Sequence, residues 1–192
     1  MLTQRVQQRV VDHADWLYQH APTVAQRMPE LVQMATSVIT AGGRLWCLGD
    51  GPAAALAIYG ADILRHGFER DRPGLAVQTV PTTAGDGPRL AATLRTLLGS
   101  EDMIVLLGTG VDDAMLAQVV EVARQQELQL AVLLAGSAPR LQQTLLDTDW
   151  CVALPANRTG QAHLLLLMAL QGLADGLDLQ LLGNDSAEGE TA

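Results

Sequence analysis

The fold is decided by residues 42–64, GGRLWCLGDGPAAALAIYGADIL, in which a short apolar run passes through a glycine-rich turn into an alanine-rich helical pattern. The apolar run, Arg44 to Leu48, predicts a buried strand, and residues 53–66 predict the helix. The turn between them is Gly49-Asp50-Gly51-Pro52. A buried strand that leads directly into a helix is typical of α/β proteins with a parallel sheet.

The same alternation continues along the chain. Further strands are predicted at Leu75–Val80, Met103–Gly108, Leu128–Ala135 and Trp150–Leu154. Further helices are predicted over residues 88–98, from Val111 to Gln126, after Pro139, and from Thr159 to Leu182. We therefore expect an α/β fold: a three-layer α/β/α sandwich with a five-stranded parallel sheet, flavodoxin-like or Rossmann-like.

Helical segments precede this sheet and a polar tail follows it. Apolar spacing predicts one helix over residues 3–20, a break at Ala21-Pro22, and a second helix from Thr23 to Thr40. Residues 184–192 are small, polar and acidic, which predicts a disordered tail. We expect a single domain over residues 1–183.

The composition limits the classes of function. The formal net charge of −9 argues against direct nucleic-acid binding, because an acidic surface repels phosphate backbones, whereas a basic protein partner is compatible with it. All the cationic residues are arginine, and a chain without lysine has no Schiff-base or P-loop lysine chemistry. Cys47 and Cys151 lie inside apolar runs and are predicted to be buried strand thiols. Their spacing suggests neither a disulfide framework nor a metal site, and we predict no metal and no cofactor.

The last predicted helix, Thr159–Leu182, is apolar on nearly all sides. A helix of this kind must be covered on all sides, which predicts a homo-oligomer in which it and residues 1–41 form the interface. The alternative is a single central core helix. The longest apolar run, Leu164 to Leu170, is too short to span a membrane, and the N-terminus carries no signal-peptide pattern, so we expect a cytoplasmic protein without membrane contact.

Several motifs resemble the phosphoheptose isomerase family of SIS domains. They are the loop of Cys47 and Gly49-Asp50-Gly51 with its following helix, the segment from Phe68 to Gly74, and the segment from Leu154-Pro155 through Asp178. The sequence is more similar still to the non-catalytic branch of that family, the DnaA initiator-associating proteins. The resemblance covers about residues 10 to 182. It implies a SIS domain, a homotetramer, and sugar-phosphate binding at the strand ends.

The ligand-binding crevice is expected where the carboxyl ends of the strands meet. The candidate residues are Gly49, Asp50, Gly51, Pro52, Ala53, Thr82, Thr83, Thr109, Gly110 and Asp113. The alternative is that the residues from Pro81 to Pro88 form a plain Gly/Pro turn.

The predicted phosphate loops have lost donors and gained charge. Pro52 has no N–H to donate, and Asp113 stands where the resemblance places a phosphate-binding serine. A carboxylate about 4 Å from a unit negative charge costs about 1 kcal/mol in water and about 4 kcal/mol at an effective dielectric constant of about 20. The alternative is that Asp112 and Asp113 act as caps of the following helix.

The resemblance also shows which positions would carry the chemistry. The family's histidine and glutamate on the helix after the first loop match Tyr59 and Ile63, and its glutamine and histidine on the last helix match His163 and Gln171. Isomerisation needs an acid and a base beside adjacent carbons, and Ile63 cannot take a proton. His163 is either a packed residue or a catalyst without an identified carboxylate partner. We therefore predict no catalytic residue.

These observations leave three functions open. The first is a non-catalytic SIS protein that associates with DnaA and regulates replication initiation. The second is a phosphoheptose isomerase, acting on sedoheptulose 7-phosphate, whose catalysts lie elsewhere. The third is a sensor that binds a small sugar ligand in the crevice without chemistry.

Overall fold

The computed structural model describes residues 1–82 and 85–183. Its five strands are β1 (Leu45–Gly49), β2 (Val77–Thr79), β3 (Met103–Gly108), β4 (Gln129–Ala135) and β5 (Trp150–Leu154). Its helices are α1 (Leu2–Thr40), α2 (Ala53–His66), α3 (Gly87–Leu97), α4 (Asp113–Gln125), α5 (Pro139–Thr144) and α6 (Thr159–Leu182). All strand pairs are parallel and the order is β2-β1-β3-β4-β5, which confirms the predicted α/β fold and the flavodoxin-like order.

Both faces of the sheet are covered by helices. Successive side chains of a strand point to opposite sides, so each strand contributes to both cores. In β1, Leu45 and Cys47 join a core with residues of α1, α2 and α6. Trp46 and Leu48 join a second core with residues of α3, α4 and α5. Strands that are buried on both faces are continuous apolar runs, which is why the sequence predicted them without a period-two pattern.

The N-terminal segment is one helix of 39 residues, so the prediction of two helices broken at Ala21-Pro22 was wrong. Pro22 and Pro29 both lie inside α1. A proline inside a helix removes a hydrogen bond and costs about 3 kcal/mol. The second half of α1 packs its buried residues, among them Val24 and Leu31, into the core that it shares with α6, and this burial keeps the helix continuous.

Strand β2 is shorter than predicted, at three residues. It is an edge strand that pairs only with β1 in the described sheet. Leu75, where the strand was predicted to begin, instead donates its backbone N–H to the carbonyl of Arg65 at the end of α2. The predicted disordered tail, residues 184–192, lies outside the described residues.

Helix α6 is the one helix in residues 1–82 and 85–183 that is long and apolar enough to cross a membrane. It is a core helix here: Leu165, Leu166, Leu170 and Leu173 are buried in the core formed with α1, α2 and the sheet. One face of α6 is therefore a core face, whereas Leu179 and Leu182 near its end are 46% and 42% exposed. The homo-oligomer with an interface formed by α6 and residues 1–41 stays a prediction.

A buried ion pair ties the α2–β2 connection to α6. The Nε of Arg72 donates to the carboxylate of Asp178, and both side chains are almost fully buried, at 1% and 2% exposure. Arg72 also donates through Nη2 to the carbonyl of Leu64 at 2.8 Å and through Nη1 to that of Pro73 at 3.2 Å. The guanidinium therefore joins the end of α2, the connection and the last turns of α6.

A second buried carboxylate, Asp102, lies just before β3, at the amino ends of the strands and so at the opposite end of the sheet from the crevice. It accepts hydrogen bonds from the side chains of Arg44 and Trp46 and from the backbone of Gly99. Burial alone would raise the pKa of Asp102, but these hydrogen bonds outweigh it and hold the pKa below its usual value. This cluster fixes the start of β1 and leaves the other end of the strand to form the site.

Candidate functional site

The candidate crevice lies at the point where the strand order reverses. β1 has β2 on one side and β3 on the other, and Gly49 at the end of β1 pairs with Leu107 of β3. A β-carbon at Gly49 would lie 2.5 Å from the carbonyl oxygen of Ala53, so glycine lets the first turn of α2 return close to the strand. The loops after β1 and β3 therefore meet, as the sequence predicted for parallel strands.

Asp50 links these two loops. Its carboxylate Oδ1 lies 2.7 Å from the backbone N of Thr109 and 2.9 Å from the Oγ1 of the same residue. Its Oδ2 lies 3.1 Å from the backbone N of Asp112. The side chain is fully buried. The donors of the β3–α4 loop are thus engaged by a carboxylate of the chain itself.

The carboxylates of Asp112 and Asp113 bind different parts of the chain. The Oδ1 of Asp112 accepts from the backbone N of Met115, so this residue caps α4, and its Oδ2 accepts from the backbone N of Gly85. Asp113 does not cap α4, which corrects that part of the expectation. Its carboxylate oxygens lie 2.8 Å from the backbone N atoms of Arg140 and Leu141, and so it binds the first turn of α5.

The remaining crevice residues form a closely bonded rim. The Oγ1 of Thr82 donates to the carbonyl of Gly49 at 2.6 Å. Pro52 is the N-cap residue of α2, and the backbone N of Ala53 donates to the carbonyl of Asp50. Thr83 lies outside the described residues.

A concave space lies next to this rim. It is lined by residues that directly follow β2, by residues of α3 and by Met115 of α4, and of the predicted crevice residues it includes Thr82. Arg89 and Asp86 lie at its edge.

The positions matched to the family's proton-transfer residues hold a neutral contact. The Nε2 of Gln171 on α6 donates to the hydroxyl of Tyr59 on α2 at 3.2 Å. Ile63, one turn after Tyr59, is 7% exposed and belongs to the apolar core. These three side chains provide neither an imidazole nor a carboxylate. Among the described residues, no group of three or more His, Cys, Asp or Glu side chains is arranged to hold a metal ion.

His163 lies near the start of α6 and is half-buried. Its Nε2 atom is buried and has no hydrogen-bond partner among the described residues. A general base needs an orienting partner and access to substrate. Within the described residues, this Nε2 atom has no carboxylate to orient it.

The two cysteines differ in burial. Cys47 is fully buried in β1, and burial raises the pKa of its thiol to about 12. Cys151 in β5 is only half-buried, in contrast to the expectation, and burial also raises the pKa of its thiol. A raised pKa favours the protonated thiol, which is the less nucleophilic form.

Sequence reasoning missed the partners of the aspartates. It singled out Asp50 and Asp113 as loop residues but did not connect them to Thr109 and the first turn of α5. The available signal was the position of each aspartate directly beside a strand end or helix start. That position predicts a cap but not which helix is capped.

The comparisons with known proteins agree with this architecture. The sequence matches no protein-family model. The phosphoheptose isomerase of Methylibium petroleiphilum is 28% identical over 193 residues, which cover 95% of this chain and 96% of the relative. A phosphoheptose isomerase from Francisella tularensis superposes with a TM-score of 0.80 at 18% identity, covering 93% of this chain and 98% of that one. GmhA, a phosphoheptose isomerase from Neisseria gonorrhoeae, gives 0.78 at 17% identity, with 93% and 99% covered. These likenesses show the fold and support the resemblance to the phosphoheptose isomerase family.

Proposed function

We propose that this chain, which has the SIS fold of phosphoheptose isomerases, is a catalytically inactive, cytoplasmic regulator that associates with the replication initiator DnaA. The proposed loss of catalysis rests on the side chains that lie between α2 and α6. Tyr59 and Gln171 hydrogen-bond to each other, and Ile63 is buried in the apolar core.

The chemistry of isomerisation explains why this set matters. An aldose–ketose interconversion moves a proton between adjacent carbons and needs a base and an acid near neutral pH. An amide and an alkyl side chain do neither. The Tyr59 hydroxyl already accepts the amide of Gln171. These three side chains would offer a bound substrate no group that removes its proton.

We expect purified protein to convert sedoheptulose 7-phosphate no faster than a blank without enzyme. A coupled assay measures this, with the phosphoheptose isomerase of Francisella tularensis as the positive control. The names of the relatives favour the second candidate, a sugar-phosphate isomerase. Turnover by the wild type that His163→Ala abolishes would establish that candidate and refute ours.

The regulatory half of the proposal is supported by charge and by an exposed apolar stripe. The net charge of −9 suits a basic protein surface. On α1, Val24 and Leu31 are buried, whereas Val6 and Val10 continue the helix towards its start with 54% and 64% exposure. A second copy of the chain would cover this stripe, and an oligomer, a tetramer by the family resemblance, would present several copies of one docking surface.

We expect wild-type protein to sediment as an oligomer and to retain purified DnaA in a pull-down. The variant Val6→Asp/Val10→Asp should dissociate and lose most of the retained DnaA, because two buried charges would oppose the helix contact and avidity would fall. Gln4→Asp/Gln8→Asp adds the same charge on the face of α1 opposite Val6 and Val10 and serves as the control.

Two results would contradict the regulatory proposal. Wild-type protein that neither retains DnaA nor stimulates its assembly at an origin would remove the DnaA role. A wild type that sediments as a monomer would remove the oligomer.

A further inference from the structure

The carboxylate of Asp50 is a buried charge held by neutral donors. Its side chain is 0% exposed, and its donors are the backbone N and Oγ1 of Thr109 and the backbone N of Asp112. In the described part of the chain, no arginine or histidine forms an ion pair with Asp50. A buried carboxylate persists only where hydrogen bonds replace its hydration, so these contacts are what stabilise it.

The donors belong to the part of the fold that would face an anion. Thr109 and Asp112 lie in the loop between β3 and α4, just before the positive end of that helix. The loop is at the switch point of the sheet, where parallel α/β proteins bind ligands. In this chain the negative charge at that point comes from the loop after β1.

We propose that Asp50 is an internal anion, which makes an autoinhibitory contact by occupying the loop donors that an external carboxylate or phosphate would need. This inference rests on the proposed function and extends it. It names the residue that occupies the donors of the β3–α4 loop in a protein that we propose to be catalytically inactive. An incoming anion has to displace the Asp50 carboxylate from three donors and to approach its charge.

An asparagine at this position would behave differently. Its single carbonyl oxygen could accept from Thr109 as Oδ1 of Asp50 does. Its NH₂ group would replace Oδ2 and would face the N–H of Asp112, and two donors do not pair. The carboxylate is therefore the side chain that satisfies both ends of the loop.

Chemical rescue by formate tests the proposal. Asp50→Ala leaves the donors unpaired beside a space of the size of a carboxylate, and we expect its melting temperature to fall well below that of the wild type. Sodium formate should then raise the melting temperature of Asp50→Ala in a saturable way, by roughly 2–4 °C or more once formate exceeds its Kd several-fold. Wild-type protein should respond to formate only as it does to sodium chloride at the same ionic strength.

Further variants keep the test decisive. Asp50→Ser retains one small acceptor and should fold, so it decides the question if Asp50→Ala does not fold, and it should also respond to formate. Asp50→Asn fills the space and should not respond. Asp71→Ala, at an exposed aspartate, is the surface control.

Two results would overturn the internal anion. They are a folded Asp50→Ser that ignores formate, and a wild type that responds as strongly as the variants. Sugar-phosphate turnover by the wild type would refute the proposed function without changing the formate result, so the two failures are distinguishable.

Discussion

Replacement of Arg72 by methionine is expected to lower the free energy of unfolding by about 3–5 kcal/mol. The substitution keeps most of the side-chain volume but leaves the buried Asp178 carboxylate without its counter-charge. It also leaves the carbonyl of Leu64 without its donor. Urea denaturation followed by circular dichroism, at one fixed protein concentration, measures the loss.

A double variant separates the net contribution of the ion pair from the cost of leaving one buried charge without its partner. Arg72→Met/Asp178→Leu removes both charges, and apolar replacement of a buried ion pair is often neutral, so it should lose much less than Arg72→Met alone. Arg89→Met is the matched control, because the Arg89 side chain is 83% exposed, and we expect a change within about 0.5 kcal/mol. A single Arg72→Met variant as stable as the wild type would show that the ion pair contributes nothing.

Gly110→Ala is expected to cost about 3 kcal/mol or more, because two penalties combine at this position. The backbone has a φ of +80°, which side chains rarely adopt. A β-carbon there would also overlap the carbonyl group of Ser137 in the β4–α5 loop. The same urea experiment measures the loss of stability.

Gly42→Ala isolates the backbone penalty. Gly42 has a φ of +88°, and a β-carbon there meets no atom within 4 Å, so it should cost only about 1–2 kcal/mol. If the Gly110 and Gly42 variants lose equal stability, the contact between the β3–α4 and β4–α5 loops does not constrain the site.

Much of the fold could be predicted because local and tertiary preferences agree. β3 from Met103 to Gly108 and α6 from Thr159 to Leu182 have the predicted bounds, since an apolar run between turns has one stable arrangement in a layered protein. The predicted break at Ala21-Pro22 was wrong because the helix-breaking tendency of proline is a local effect. It takes no account of the apolar burial that stabilises the second half of α1. β2 was predicted too long because the edge of a sheet lacks a second neighbour to extend it.

The candidate site could be predicted only in part. Its place followed from the topology, because strand ends of a parallel sheet converge. Its chemistry depends on pairs far apart in sequence: Asp50 and Thr109 are separated by 59 residues, and no spacing rule connects them. Asp113 illustrates the same limit, since a residue at the start of α4 serves the first turn of α5.

The hydrogen bonds of these loop aspartates affect how strongly a partner protein could bind here. Asp50 joins the loop after β1 to the β3–α4 loop, and Asp113 joins the start of α4 to the first turn of α5, through hydrogen bonds within the chain. Association is opposed by the conformational entropy lost when surface loops become ordered. A protein that docks where these loops meet would bind segments that folding has already ordered. The entropy lost on ordering them would therefore reduce its affinity only a little.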